Sequence, residues 1–150
     1  MRYALAAAAC AVLLASCSFS SLPSAPIAYH PIDLDGHCAQ TDVDGFREQA
    51  TLKVRDNWVQ ALSWRLWVGQ RGSCHFELSE FRQTRTRPQI ELRARDGSAC
   101  ELMVWQEPGR VTLAHANCEQ YCTPGIYQEA WPVMFDPHAG ICAAATRRAG

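Results

Sequence analysis

The chain has 150 residues, with 14 basic and 15 acidic side chains, so its formal net charge is −1. This length suits one domain with one hydrophobic core. The nearly balanced charge, without a basic run or an acidic tail, argues against a nucleic-acid-binding protein.

Residues 1–16 are typical of a secretory signal peptide. Arg2 supplies a positive charge, and residues 4–15 form an apolar segment that ends in small residues. This segment is shorter than the roughly 20 residues that a helix needs to cross a bilayer. We therefore expect it to be removed rather than kept as an anchor.

The next feature is the sequence Leu14, Ala15, Ser16, Cys17, an aliphatic residue and two small residues before a cysteine. It resembles the lipobox of bacterial lipoproteins, in which the cysteine thiol receives a diacylglyceryl group. The resemblance implies that Cys17 carries acyl chains, which together anchor the protein to a membrane. Because Ser18 rather than Asp follows, it also implies the outer membrane of the cell envelope, facing the periplasm. An ordinary signal peptide with a chance cysteine is the alternative.

Residues 17–31 contain the lipidated cysteine and a stretch rich in Pro and Ser. This composition predicts a flexible tether with a reach of about 40 Å. We expect a single β-rich domain over residues 32–142 and a disordered tail over 143–150. Asp-Gly pairs at 35–36 and 44–45 indicate solvated turns. A calcium loop is not expected, because the acidic residues around these pairs lack its spacing.

From residue 50 onward, apolar side chains recur at every second position, the period of a half-buried strand. We predict strands at 51–55, 58–68 and 74–83, with a two-residue turn at 56–57. In the second of these, Trp58 and Leu62 are expected to share one face. A helix is the alternative for 58–68 because its apolar spacing also fits a helical period.

The clearest pattern covers residues 90–113. Alternation predicts strands at 90–94 and 100–105, joined by a tight turn at Asp96 and Gly97, and Pro108-Gly109 makes a second turn. These strands form an antiparallel meander. Because the meander must cover its apolar face, we expect a mainly β fold, curled into a small sheet or barrel.

The last segment, from residue 117, is rich in aromatic residues and prolines. Thr123 followed by Pro124 predicts a short C-terminal helix that ends near Trp131. In an oxidising compartment, six cysteines indicate up to three disulfides, which staple this segment to the sheet. These cysteines are Cys38, Cys74, Cys100, Cys118, Cys122 and Cys142.

A zinc site is the alternative to these disulfides. It would be built from His115 and three of the cysteines, Cys118, Cys122 and Cys142. Because export favours disulfides over free thiols, we expect no metal and no cofactor.

No catalytic motif stands out in the sequence, so we do not expect an enzyme. Five tryptophans are many for one domain. Alternation places Trp67 and Trp105 opposite the core. Either the last segment covers them or they form an aromatic patch for a protein or a glycan. The candidate partner-binding residues are Trp67, Arg95, Asp96, Gly97, Trp105 and Arg110.

A small β domain on a lipid anchor is similar in plan to the membrane-bound lysozyme-inhibitor lipoproteins. The similarity lies in the architecture, and the turn at 95–98 lacks the inhibitory sequence of that family. It implies a periplasmic binding module that inhibits, or gives immunity against, a cell-wall hydrolase such as a lysozyme. We expect the 95–98 or the 107–110 turn to plug the enzyme cleft. The alternative is a structural or assembly lipoprotein of the outer membrane, and an enzyme ranks third.

Overall fold

The protein is described by a computed structural model that covers residues 31–143. The predicted signal peptide, Cys17, nearly all of the tether and residues 144–150 of the tail lie outside the described residues. Over the described range, no helix has the length and apolar character to span a membrane.

Residues 31–143 form nine strands in two antiparallel sheets. The first sheet contains β1 (Leu34–Thr41), β2 (Phe46–Arg55), β3 (Trp58–Val68) and β4 (Ser73–Glu77). The second sheet contains β5 (Phe81–Arg85), β6 (Ile90–Ala94), β7 (Glu101–Glu107), β8 (Arg110–Ala116) and β9 (Val133–Phe135). Each strand pairs with its chain neighbour inside its sheet, so the mainly β fold and the meander are confirmed. The two sheets stay separate, and the described chain forms no closed barrel.

One apolar core is shared by the two sheets. Buried and exposed side chains alternate along β1 and β2, as expected for strands with one solvated face. The buried apolar residues of both sheets belong to one contiguous cluster, and Trp64 of the first sheet contacts His115 of the second with ring centroids 5.4 Å apart. The sheets therefore stabilise each other by burying a common apolar surface.

The prediction that Trp58 shares the buried face of β3 is wrong. Its side chain is 58% exposed, whereas Leu62 is buried. Between these two residues the pairing with β2 shifts, because Lys53 opposes Ala61 but Val54 opposes Val59. The extra residue forms a β-bulge, and a bulge reverses which face the following side chains occupy.

The predicted turn at Asp56 and Asn57 is confirmed. Both residues have positive φ values, 46° and 62°, which match the primed turn that closes a two-residue hairpin. The buried Asn57 also holds the start of the domain, since its Oδ1 accepts a hydrogen bond of 2.7 Å from the backbone N of Ile32. Its own backbone N donates to the Ile32 carbonyl at 3.1 Å. Ile32, the first residue of the predicted domain, is therefore fixed to this hairpin.

Two further predictions of local structure are wrong. The strand expected over 74–83 is interrupted by a 3-10 turn at Leu78–Glu80, which takes the chain from the first sheet to the second. The turn expected at residues 35–36 lies inside β1. Gly36 is needed there because a Cβ would come within 2.8 Å of the Phe135 ring.

The predicted C-terminal helix is also wrong. This part of the chain contains only single 3-10 turns, at Glu119–Tyr121 and Tyr127–Glu129. Thr123 does not cap a helix, because its backbone N donates to the Ser73 carbonyl at 2.9 Å and its Oγ1 accepts from the Ser73 backbone N at 3.1 Å. Tertiary hydrogen bonds to β4 thus replace the local bonds that a helix would need.

The prediction of three disulfides is confirmed. Cys38 pairs with Cys142, Cys74 with Cys122, and Cys100 with Cys118. Each bridge joins the last segment to the earlier strands, and each contributes about 2–4 kcal/mol to stability. The zinc alternative is wrong, because its three cysteines belong to three different bridges.

Candidate functional site

The turns of the meander lie at two opposite ends of the domain. Gln83 in β5 links the sheets at one end, since its side chain accepts from the Val59 backbone N at 2.9 Å and donates to the Asn57 carbonyl at 2.6 Å. The proximal end contains Ile32, the residue that follows the predicted tether, and the turns at 56–57, 86–89 and 107–110. The distal end contains the turns at 42–45, 69–72 and 95–99, together with residues 119–131.

The six residues predicted to bind a partner do not form one surface. Arg95, Asp96 and Gly97 lie at the distal end, whereas Arg110 lies at the proximal end, beyond the other end of β7. The two turns expected to plug an enzyme cleft therefore point in opposite directions, and only one of them can meet a given partner.

The two predicted tryptophans are both half-buried on outward-facing positions. The Arg47 guanidinium lies 4.2 Å from the centre of the Trp67 ring, a cation–π geometry. Trp105 opposes Thr112 on β8 and also lies near Glu107, whose pKa is lowered mainly by the Arg110 hydrogen bond and to a smaller extent by Trp105. Side chains from neighbouring strands thus cover part of each indole.

Asp96 is an exposed carboxylate that is held in place from two sides. Its Oδ1 accepts from the Ser98 backbone N at 2.8 Å, and the Tyr121 hydroxyl donates to its Oδ2 at 3.2 Å. Hydrogen bonds from Ser98, and then from Tyr121, keep the pKa of Asp96 below its usual value. Burial, with the charge of Asp96, raises the pKa of Tyr121 to about 12. The carboxylate therefore stays charged and the phenol stays a donor.

The backbone of the 95–98 turn is braced by tertiary contacts. The Arg95 backbone N donates to the Glu80 carbonyl at 2.8 Å, and its Nε donates to the Phe81 carbonyl at 2.9 Å. The Cys100–Cys118 disulfide ties the base of the same hairpin to the segment that follows β8. The 107–110 turn has instead a local ion pair, with Arg110 Nε 2.7 Å from Glu107 Oε2. The 95–98 turn is thus the more firmly positioned of the two.

A second feature of the distal end was missed by the sequence reasoning. An open groove of about 300 Å³ lies between the turns at 42–45 and 69–72. Trp131 is 65% exposed there, and Val43 is fully exposed on the adjacent turn. We call this the distal groove, and its lining residues are Asp42, Asp44, Phe46, Val68, Gly69, Gln70, Arg71, Glu129 and Trp131.

The distal end is acidic. Its turns and residues 119–131 carry five carboxylates and two guanidinium groups, a net charge of −3. Arg71 forms an ion pair with Glu129, so its charge is already compensated. A surface with an excess of one charge attracts partners of the opposite sign and speeds their association. The charged residues of this end are Asp42, Asp44, Arg71, Arg95, Asp96, Glu119 and Glu129.

Glu48 is a buried carboxyl on the inward face of β2, only 1% exposed. Burial raises its pKa to about 7, although the Gln40 hydrogen bond and then the nearby Trp64 indole oppose the rise, and nearby Asp42 adds to it. The Gln40 side chain donates to Oε1. The Trp64 indole lies near enough to favour the charged form, yet neither its Nε1 nor Glu48 Oε2 makes a hydrogen bond of normal geometry.

No family model, no curated protein and no solved structure matches this chain. The similarity in plan to the lysozyme-inhibitor lipoproteins therefore stays a prediction.

Proposed function

We propose that this protein is a lipid-anchored binding module of the cell envelope, and that its distal end docks a basic protein partner. The partner that suits this surface best is a cell-wall hydrolase of the lysozyme type, which the module inhibits by covering its cleft. The observation that carries the proposal is the position of the braced Asp96 turn and the distal groove. Both lie on one acidic end, opposite the residue where the tether arrives.

Three physical arguments support docking through this end. A tether that arrives at Ile32 leaves the distal end free to meet a soluble partner. The hydrogen bonds around Asp96 and the Cys100–Cys118 disulfide hold the turn in one conformation, so little entropy is lost when it binds. The net negative charge of the end steers a basic partner toward it.

The test measures peptidoglycan hydrolysis by a panel of purified basic lysozymes, with the full-length protein in detergent added at stoichiometric amounts. We expect at least one enzyme to lose its activity. Asp96→Lys should weaken this inhibition at least tenfold, because it reverses the charge of the braced carboxylate on the docking end. Arg110→Gln, at the proximal end, is the matched control and should inhibit like the unchanged protein.

Three outcomes would contradict all or part of the proposal. Equal losses from Asp96→Lys and Arg110→Gln would mean that the distal end has no special role. A failure to bind any basic hydrolase would refute the partner class and favour the structural or assembly role. Binding without inhibition would retain the docking surface but refute the inhibitor.

A further inference from the structure

We infer that the distal groove receives the side chain of a single arginine or lysine of the partner. This inference rests on the proposed function and names the chemical group that the site recognises. The groove combines an exposed indole, two apolar residues at the edge of the core, the carboxylates of Asp42 and Asp44, and the Arg71–Glu129 ion pair.

The apolar part of the groove fits the stem of a long basic side chain. Val68 is buried and Phe46 is half-buried at its floor, and both belong to the edge of the shared core. Arginine and lysine bury their methylene stems along apolar surfaces while the charged head stays in water. Trp131 lines the same groove with most of its ring exposed. Tryptophan is the aromatic side chain that attracts a cation most strongly.

The polar part of the groove is ready to accept the charged head. Neither Asp42 nor Asp44 makes a hydrogen bond or an ion pair through its side chain with any residue between 31 and 143. Arg71 already forms an ion pair with Glu129, so it does not neutralise Asp42 and Asp44. A guanidinium or ammonium group from outside would compensate the charges that the protein leaves uncompensated.

The backbone that carries these two carboxylates is held by hydrogen bonds. The Asp42 backbone N donates to the Phe46 carbonyl at 2.7 Å, and the Gly45 backbone N donates to the Asp42 carbonyl at 3.0 Å. The Gly69 backbone N in turn donates to the Gly45 carbonyl at 3.2 Å, which joins the two turns that border the groove. The volume of about 300 Å³ is at the small end for ligand sites, so it suits one side chain.

The test uses N-acetyl-arginine amide as the probe and the full-length protein in detergent. The indole N–H signal of Trp131, assigned by its loss in Trp131→Phe, is followed by NMR. We expect this signal to shift with a dissociation constant on the order of 1 mM. N-acetyl-citrulline amide has nearly the same shape without the charge, and it should bind at least tenfold more weakly.

Variants distinguish binding of the probe in the groove from a general attraction of the probe to the acidic distal end. The double variant Asp42→Asn with Asp44→Asn should weaken the arginine probe at least fivefold. Glu119→Gln removes a carboxylate from the same end but outside the groove, and it should leave the affinity unchanged. The four other indole signals report that each variant is folded. An unmoved Trp131 signal, equal binding of citrulline, or an equal loss in Glu119→Gln would overturn the inference.

A second measurement distinguishes failure of this inference from failure of the proposed function. The same double variant is compared with Asp96→Lys in binding to the inhibited hydrolase. Loss of binding in both variants supports the inference. Loss in Asp96→Lys alone refutes the groove as the receptor and leaves the proposed function standing. Binding of the arginine probe without binding of any hydrolase supports the groove and refutes the proposed partner.

Discussion

The buried carboxyl of Glu48 should make the stability of this protein depend on pH near neutrality. The side chain is enclosed by the core and by Gln40, and burial raises its pKa from 4.5 to about 7. In the unfolded chain the same group returns to its ordinary value. The folded state therefore binds a proton at Glu48 over a range in which the unfolded state has released it.

The sign and the magnitude follow from this difference. Between pH 4.5 and 7, the folded state holds more protons, so the free energy of unfolding falls as pH rises. The stabilisation is fully present below pH 4.5 and is lost as pH passes through about 7. Since one pKa unit corresponds to about 1.4 kcal/mol, the loss is about 3 kcal/mol.

Glu48→Gln removes the titration and keeps an acceptor for the Gln40 amide. The difference between this variant and the unchanged protein isolates Glu48 from the other titrating groups. His115 is one of these groups, because burial lowers its pKa and makes stability rise with pH below 6.5. We expect similar stabilities near pH 4, and at pH 8 we expect the variant to be relatively more stable by about 3 kcal/mol.

The measurement is urea unfolding of the oxidised protein, followed by tryptophan fluorescence at pH 4, 5, 6, 7 and 8. Trp64 is fully buried beside Glu48 and reports on the core. Parallel pH curves for the variant and the unchanged protein would refute the reasoning, because Glu48 would then titrate alike in the folded and unfolded states.

Two further predictions concern the parts of the chain that hold the domain together. Asn57→Ala should lower the free energy of unfolding by about 1–3 kcal/mol in the same urea assay. The reason is that the variant removes the side-chain acceptor at the start of the domain and strains a residue with φ of 62°. Replacing both cysteines of the Cys38–Cys142 bridge by alanine should cost about 1.5 kcal/mol more than the same change in Cys100–Cys118, because the closed loop is longer, 104 against 18 residues. Equal losses from the two bridges would contradict the loop-entropy argument.

The parts of the fold that the sequence predicts well are those set by neighbouring residues. The hairpin turn at 56–57 follows from side chains that tolerate positive φ, and Gly97 likewise takes a positive φ in the loop between β6 and β7. The positions of β6 and β7 follow from their inward-facing apolar side chains, although Glu91 is buried as well and the predicted alternation in 90–94 is therefore incomplete. The number of disulfides follows from the number of cysteines and an oxidising compartment. All of these can be predicted without knowing which strands meet.

The errors have the opposite origin. The exposure of Trp58 depends on a bulge that only the pairing with β2 reveals. The missing helix after Thr123 depends on hydrogen bonds to Ser73, which is 50 residues away in the chain. Local preference was outweighed in each case by contacts with a distant strand.

The features of the candidate site also fall into those set by adjacent residues and those set by contacts between distant segments. The sequence by itself determined that Asp96 lies on an exposed turn, and it predicts an exported protein with a lipid anchor at Cys17. Only the tertiary structure decided that this turn lies at the end opposite Ile32, and that Asp42, Val68 and Trp131 line one groove. The physical reason is that a turn is encoded by adjacent residues, whereas a groove is made by strand pairing and by the Cys74–Cys122 bridge, which bring distant segments together.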